Sequence, residues 1–230
     1  MTYNIRHGLG MDSILDLERI VRVIRSVDPD ILILNEVDQG TNRSGGVAQA
    51  DSLAKMLDMQ AYFGRSIDYD GGQYGNALLS KFPVNTFRVI DISTDTLREG
   101  RSVFLASLRV DTDTLYVIGT HLGLDSLERQ QQVTSILQVL PVSERVILAG
   151  DFNFEPGTQG YKQVNNRLKD GIAISHDRPS STFPANQPQR RIDYIFLGMD
   201  ILPGEGPQIK SADLEVASDH LPQILTFHLK

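Results

Sequence analysis

The apolar positions of this chain change period several times, and each change marks an element. Ile14, Leu17, Ile20, Val21 and Ile24 recur at helical spacing and stop before Asp28-Pro29, so they predict an amphipathic helix that ends ahead of the proline. Ile31-Leu32-Ile33-Leu34 is a continuous apolar run and reads as a buried strand delivering Asn35-Glu36 at its C-terminal end. The same shape recurs along the chain. Leu115 to Gly119 leads into Thr120-His121, Val146-Ile147-Leu148 into Gly150-Asp151-Phe152-Asn153, and Val216-Ala217 into Asp219-His220. A further segment, Ile192 to Leu197, carries Asp193 inside it.

A second long helix is predicted where Asp125 and Glu128 stand at capping-box spacing, with Leu127, Val133, Ile136, Leu137 and Leu140 as its apolar face before Pro141. A shorter one is expected around Leu53, Ala54 and Leu57. Asp70-Gly71-Gly72-Gln73-Tyr74-Gly75 reads as a loop between extended segments, and Pro179 to Pro188 as another. Strand-like and helix-like stretches alternate without a repeat, a low-complexity tract or a linker, which predicts one α/β domain over residues 1–230.

Composition narrows the chemistry. A chain of 230 residues can bury a large core, and 40% hydrophobic with 22% charged residues is the balance of a soluble globular protein. No apolar run approaches the roughly 20 residues that a spanning helix needs. There is no cysteine, so disulfides and thiolate metal sites are excluded, and any metal must be held by oxygen or imidazole. The net charge of -7 weighs against a broad basic face that grips nucleic acid, while leaving room for acidic metal ligands. Met1 to Arg6 lack the apolar segment of a secretory signal, so a cytoplasmic monomer is the default expectation.

Taken singly, a carboxylate or histidine after a strand is a helix cap or a turn former. Four such ends, presenting Glu36, His121, Asp151 with Asn153, and Asp219 with His220, can instead converge at one rim of a sheet. Carboxylates, amides and imidazoles without sulfur suit a hard cation such as Mg²⁺ beside a phosphate. A phosphodiester repels a nucleophile unless a cation and hydrogen-bond donors neutralise the charge building on its oxygens. Glu36 could hold the cation. His220 could take a proton from water or donate to the anion, if a carboxylate such as Asp193 orients its other nitrogen. Asn4 and Asn153 would add neutral oxygen or NH₂ groups.

Seven ordered motifs carry a family resemblance. They are Thr2-Tyr3-Asn4-Ile5-Arg6-His7-Gly8, Asn35-Glu36-Val37-Asp38, Tyr74-Gly75-Asn76-Ala77-Leu78-Leu79-Ser80, Thr120-His121-Leu122, Gly150-Asp151-Phe152-Asn153, Ile192-Asp193-Tyr194-Ile195-Phe196 and Ser218-Asp219-His220-Leu221-Pro222. Together they resemble the endonuclease/exonuclease/phosphatase superfamily. That resemblance implies a four-layer α/β/β/α sandwich of two packed mixed sheets, the deoxyribonuclease I-like fold, and phosphoester hydrolysis dependent on Mg²⁺ or Mn²⁺.

Carried over by position, Glu36, Asn4 and Asp219 match the metal side of the family's site. His220 matches its catalytic histidine, paired with Asp193, while Asp151 and Asn153 match the pair that positions water and phosphate. His121 matches a phosphate-contacting histidine, and Asn76 and Tyr74 stand where further substrate contacts occur. Either Asp151 or His220 could activate the water. Arg43 and Arg101 could reach a phosphate through bidentate contacts, or remain solvated loop arginines. His7 is expected beside the site, and His176 and His228 at the surface or in packing.

Two departures matter. Asn35 stands where the family commonly has glutamine, and the first strand is expected to be short or truncated. The spelling of the motifs resembles compact bacterial metal-dependent hydrolases more than repair nucleases, so the expected substrate is a small-molecule or lipid-linked phosphate ester. A DNA or RNA nuclease of the same fold is the alternative, and an inactive phosphate-binding scaffold a third reading.

Overall fold

A computed structural model describes residues 1–175 and 180–230. In chain order the elements are β1 (Thr2–Asn4), α1 (Leu17–Arg25), β2 (Ile31–Gln39), α2 (Gln49–Leu57), β3 (Gln60–Tyr69), β4 (Gly72–Ser80) and β5 (Val84–Asp91). These are followed by β6 (Ser102–Val110), β7 (Asp113–His121), α3 (Ser126–Val139), β8 (Val146–Asp151), α4 (Gln159–Arg167), β9 (Lys169–Asp170) and α5 (Gly171–Ser175). The chain closes with β10 (Asp193–Leu197), β11 (Ile201–Glu205) and β12 (Leu225–Leu229).

Two mixed sheets result, with strand orders β1-β2-β4-β3 and β5-β6-β7-β8-β10-β9, beside a two-stranded ribbon of β11 and β12. The β1–β2 and β7–β8 pairs are parallel. Period-two alternation sorts the strand residues into layers. Leu32 and Leu34 pack under the helices with Ile20, Val23, Ile24 and Leu53, whereas Ile31 and Ile33 face the other sheet and meet Phe104, Val117, Ile147 and Ile195. On the far side, Leu105, Ile118, Leu148 and Phe196 pack against Val133, Ile136 and Val164 of α3 and α4. Three cores between four layers are the expected α/β/β/α sandwich.

Four local expectations need correction. The first helix begins at Leu17, because Asp16 caps it by accepting the Arg19 N–H at 3.1 Å; Ile14 lies outside and is 55% exposed. Asp125 caps α3 as expected, accepting from Leu127 and Glu128 at 3.0 Å, yet Leu127 is 61% exposed and the buried face starts at Glu128 and Gln132. The expected loop at 70–75 is a hairpin turn of Asp70-Gly71 only, both at positive φ, and Gly72 to Gly75 already belong to β4. Finally, Val216-Ala217 is not a strand. A turn ends there, so Asp219 and His220 sit on a loop.

The first strand has three residues, all paired with β2; Thr2 also bridges to Gln223, and Asn4 is fully buried. His176 and the start of the 179–188 loop lie outside the described residues. Among the described residues no helix is long and apolar enough to cross a membrane.

Candidate active site

Strand register brings the polar ends together. In the second sheet His121 stands opposite Asp151, and Asp151 opposite Asp193, so three neighbouring strands place three candidate groups in one row. In the first sheet Asn4 stands opposite Asn35, next to Glu36. Glu36 lies in a bulge of β2 and takes φ 57°, a left-handed conformation that turns its carboxylate out of the ladder. The loop residues Asp219 and His220 are tied to this rim from three directions. Ser218 Oγ donates to the Asn4 carbonyl at 2.7 Å, Ala185 N–H to the Asp219 carbonyl at 2.8 Å, and Leu221 N–H to the Thr182 carbonyl at 2.7 Å.

The Asn4 amide bridges two carboxylates, its Nδ2 donating to Glu36 Oε1 at 3.0 Å and Asp151 Oδ2 at 3.1 Å. His220 Nδ1 lies 2.9 Å from Asp193 Oδ2, and its Nε2 lies 3.6 Å from Asp151 Oδ2. Phe183 covers the ring, with centroids 4.9 Å apart. His121 Nε2 reaches the same Asp151 oxygen at 3.4 Å. Asn153, at φ 51°, donates its backbone N–H to Asp151 Oδ1 at 2.9 Å and its Nδ2 to the Leu122 carbonyl at 2.9 Å.

Charge is distributed unevenly over these groups. Burial works against a charged His220, but the flanking Asp193 and Asp151 outweigh it and push the imidazole up to about 10. Burial lifts the Asp151 carboxyl to about 7; the nearby His220 opposes that rise and Asp193 adds to it. His121 goes the other way. Burial, then the charges of Arg101 and His220, hold it well below the ordinary histidine value. Burial also raises Glu36, an effect that Asn4's hydrogen bond opposes and Asp219's charge reinforces.

The remaining expected residues fall into two groups. Tyr74, Arg43 and Arg101 line the pocket, with Ile67, Tyr69, Glu99, Leu124, Phe183 and Arg190 completing its walls. The Arg43 fork is engaged with buried Asp38, at 2.8 and 2.7 Å, and lies over the Tyr69 ring at 4.5 Å. Arg101 Nη1 is 2.6 Å from Glu99 Oε1. Asn76, by contrast, does not line the pocket. It is buried behind the site, accepting from Asn35 at 2.7 Å and donating to the Ser102 carbonyl at 3.3 Å. His7 is half-buried beside the site, and His228 lies on β12, away from it.

Sequence reasoning did not find Phe183, Arg190, Thr182 or Ser218. The first two sit in and beside a Pro-rich stretch with no periodic signal, and the hydroxyls act on backbone groups distant in sequence.

The donor set suits a hard cation. Glu36 and Asp219 both line the pocket, close enough for the Asp219 charge to act on Glu36, and Arg6 Nε lies 3.7 Å from Asp219 Oδ2. Among the described residues a buried cluster of Asp151, Asp193 and His220 also has ligand atoms within 4.8 Å of one another. In that cluster the His220–Asp193 hydrogen bond already engages two of those groups.

A family model described as the Endonuclease/Exonuclease/phosphatase family matches residues 1–220. The uncharacterised protein YbhP of Escherichia coli K12 is 28% identical over 212 residues, spanning 86% of this chain and 83% of its own. A solved endonuclease/exonuclease/phosphatase of Beutenbergia cavernae superposes with TM-score 0.78 at 24% identity, covering 99% of this chain and 70% of that one. A mannosyl-6-phosphatase of Bacteroides thetaiotaomicron superposes with TM-score 0.77 at 19% identity, covering 99% of this chain and 98% of its own.

Proposed function

We propose, for a chain that belongs to the endonuclease/exonuclease/phosphatase family and is thereby a phosphoric ester hydrolase, that its substrate is a small-molecule or lipid-linked phosphate ester, with a phosphodiester preferred. The observation that carries this reading is the pairing of the pocket arginines. Arg43 is matched by Asp38, Arg101 by Glu99 and Arg190 by Glu155, so among the described residues the pocket arginines leave no unpaired guanidinium to track a nucleic-acid backbone. The cavity, ≈ 420 Å³, is the size of a small-ligand site. The Bacteroides neighbour, a mannosyl-6-phosphatase by name, is in keeping with a small ester.

Glu36 and Asp219 would hold a divalent cation, Mg²⁺ or Mn²⁺, with Asn4 fixing the Glu36 carboxylate. When bound, the cation supplies charge neutralisation to the phosphoryl oxygens. His220, protonated and aimed by Asp193, faces the same oxygens as a charge-assisted donor. Asp151, with a carboxyl lifted to about 7, is the better matched proton acceptor for the attacking water near neutral pH. Asn153 and Asn4 hold that carboxylate from two sides.

Plasmid nicking with Mg²⁺, run beside a panel of model phosphodiesters and phosphomonoesters, tests the substrate class. Turnover of the small esters without nicking is expected. Efficient nicking that His220→Ala abolishes, with no turnover of small esters, would replace this reading with a nuclease.

A further inference from the structure

We propose that Arg101 is a positioning residue that fixes His121 in its Nε2–H tautomer, so that His121 meets a phosphate oxygen only as a hydrogen-bond donor. The phosphate in that statement rests on the hydrolase reading above; the tautomer does not.

Three polar groups face the buried His121 ring. Arg101 Nη1 lies 3.4 Å from Nδ1, while Asn153 Nδ2 at 3.2 Å and Asp151 Oδ2 at 3.4 Å face Nε2. A neutral imidazole has one donor nitrogen and one acceptor, so the three cannot all be served alike. Asn153 has a second hydrogen after its bond to the Leu122 carbonyl and could donate it to Nε2. That choice would put the proton on Nδ1, aimed at Arg101.

Arg101 decides between the two. The guanidinium and the Asn153 amide nitrogen can both only donate, but the guanidinium is charged, and Nε2 also faces the Asp151 carboxylate, which only an N–H can serve. With Arg101 donating to Nδ1, the proton must sit on Nε2, and there it faces the Asp151 carboxylate oxygen.

Arg101 cannot easily turn away. Its side chain is buried, and its Nη1 is 2.6 Å from Glu99 Oε1. The positive charge also disfavours a second proton on the ring, in line with the lowered His121 pKa. His121 therefore offers the site no lone pair and does not act as a base. Arg101 thus acts on the site through the imidazole and not by its own contact with the phosphate.

Long-range ¹H–¹⁵N spectra of the metal-free protein read both ring nitrogens of His121, assigned by their loss in His121→Asn. The expected result is a pyrrole-like Nε2 and a pyridine-like Nδ1. Arg101→Met removes the donor and is expected to shift the ring several-fold toward the Nδ1–H form, while Arg101→Lys keeps a donor and restores the Nε2–H form. A pyrrole-like Nδ1 in the unaltered protein would overturn the proposal. So would an Arg101→Met protein, folded by its His220 signals, whose His121 spectrum is unchanged. If Arg101→Met fails to fold, the unaltered protein and Arg101→Lys decide the matter. Turnover of a model phosphodiester is read separately, so a correct tautomer in a protein without esterase activity would sink the hydrolase reading alone.

Discussion

The side-chain oxygen of Asn35 accepts the backbone N–H of Asp151 at 2.9 Å, joining the first sheet to the second directly beneath the site. The same amide donates to the Thr120 carbonyl at 2.9 Å and to Asn76 Oδ1 at 2.7 Å. All three partners are buried, and Glu36 is the next residue in the chain. Asn35→Asp keeps the acceptor but turns a carboxylate toward two other acceptors. Urea unfolding should show a loss of about 1–3 kcal/mol, with a fall in kcat larger than any rise in KM because Asp151 is displaced. An unchanged kcat in a destabilised protein would mean that the amide serves folding alone.

Glu36 combines a ligand's position with an unfavourable backbone. Its φ of 57° is costly for a residue with a Cβ, and burial beside Asp219 adds to the cost of its charge. Glu36→Gly should leave the metal-free protein as stable as the original, or more stable by about 1 kcal/mol, while removing divalent-cation binding. Calorimetric titration with Mg²⁺ beside thermal unfolding checks both halves.

Asp219 and His220 are adjacent yet face different partners, Arg6 for the first and Asp193 for the second. His220→Ala should abolish turnover and leave cation affinity intact, whereas Asp219→Ala should weaken both. Equal cation affinities for the two variants would contradict this division.

The His220–Asp193 pair also sets an alkaline limit in the metal-free protein. A histidine whose folded value is raised to about 10 gives its full stabilisation below its unfolded value near 6.5 and loses it as pH rises through 10. Stability should therefore fall from about pH 7 to pH 10, by up to about 1.4 kcal/mol per pH unit for one proton. His220→Gln should flatten that slope. Parallel declines in both proteins over this window would show that other groups carry it.

Much of this was legible in the chain because apolar runs end in polar residues. Ile31 to Leu34 and Val146 to Leu148 announce β2 and β8; parallel register then sets Asn4 beside Asn35-Glu36 in the first sheet and His121 beside Asp151 in the second, and the packing of the two sheets joins the pairs. Asp219-His220 was found as chemistry but misread as a strand end, since its position depends on Ser218, Thr182 and Ala185 and not on its own periodicity. Asn76 was read as a substrate contact because it lies in a motif; only the packing of two sheets reveals that its amide faces Asn35 and Ser102. For Arg43 the sequence offers a phosphate contact or a solvated loop arginine and does not show its pairing with Asp38, five residues back, because the fold is what buries that carboxylate.

The most direct measurement is the hydrolysis rate of bis-p-nitrophenyl phosphate by the chelator-stripped protein, with and without added Mg²⁺ or Mn²⁺, for the unaltered chain and for His220→Ala. Cation-dependent turnover that falls by about 10²–10⁴-fold in His220→Ala is the predicted result. Turnover that persists in excess chelator, or is indifferent to His220, would contradict the account.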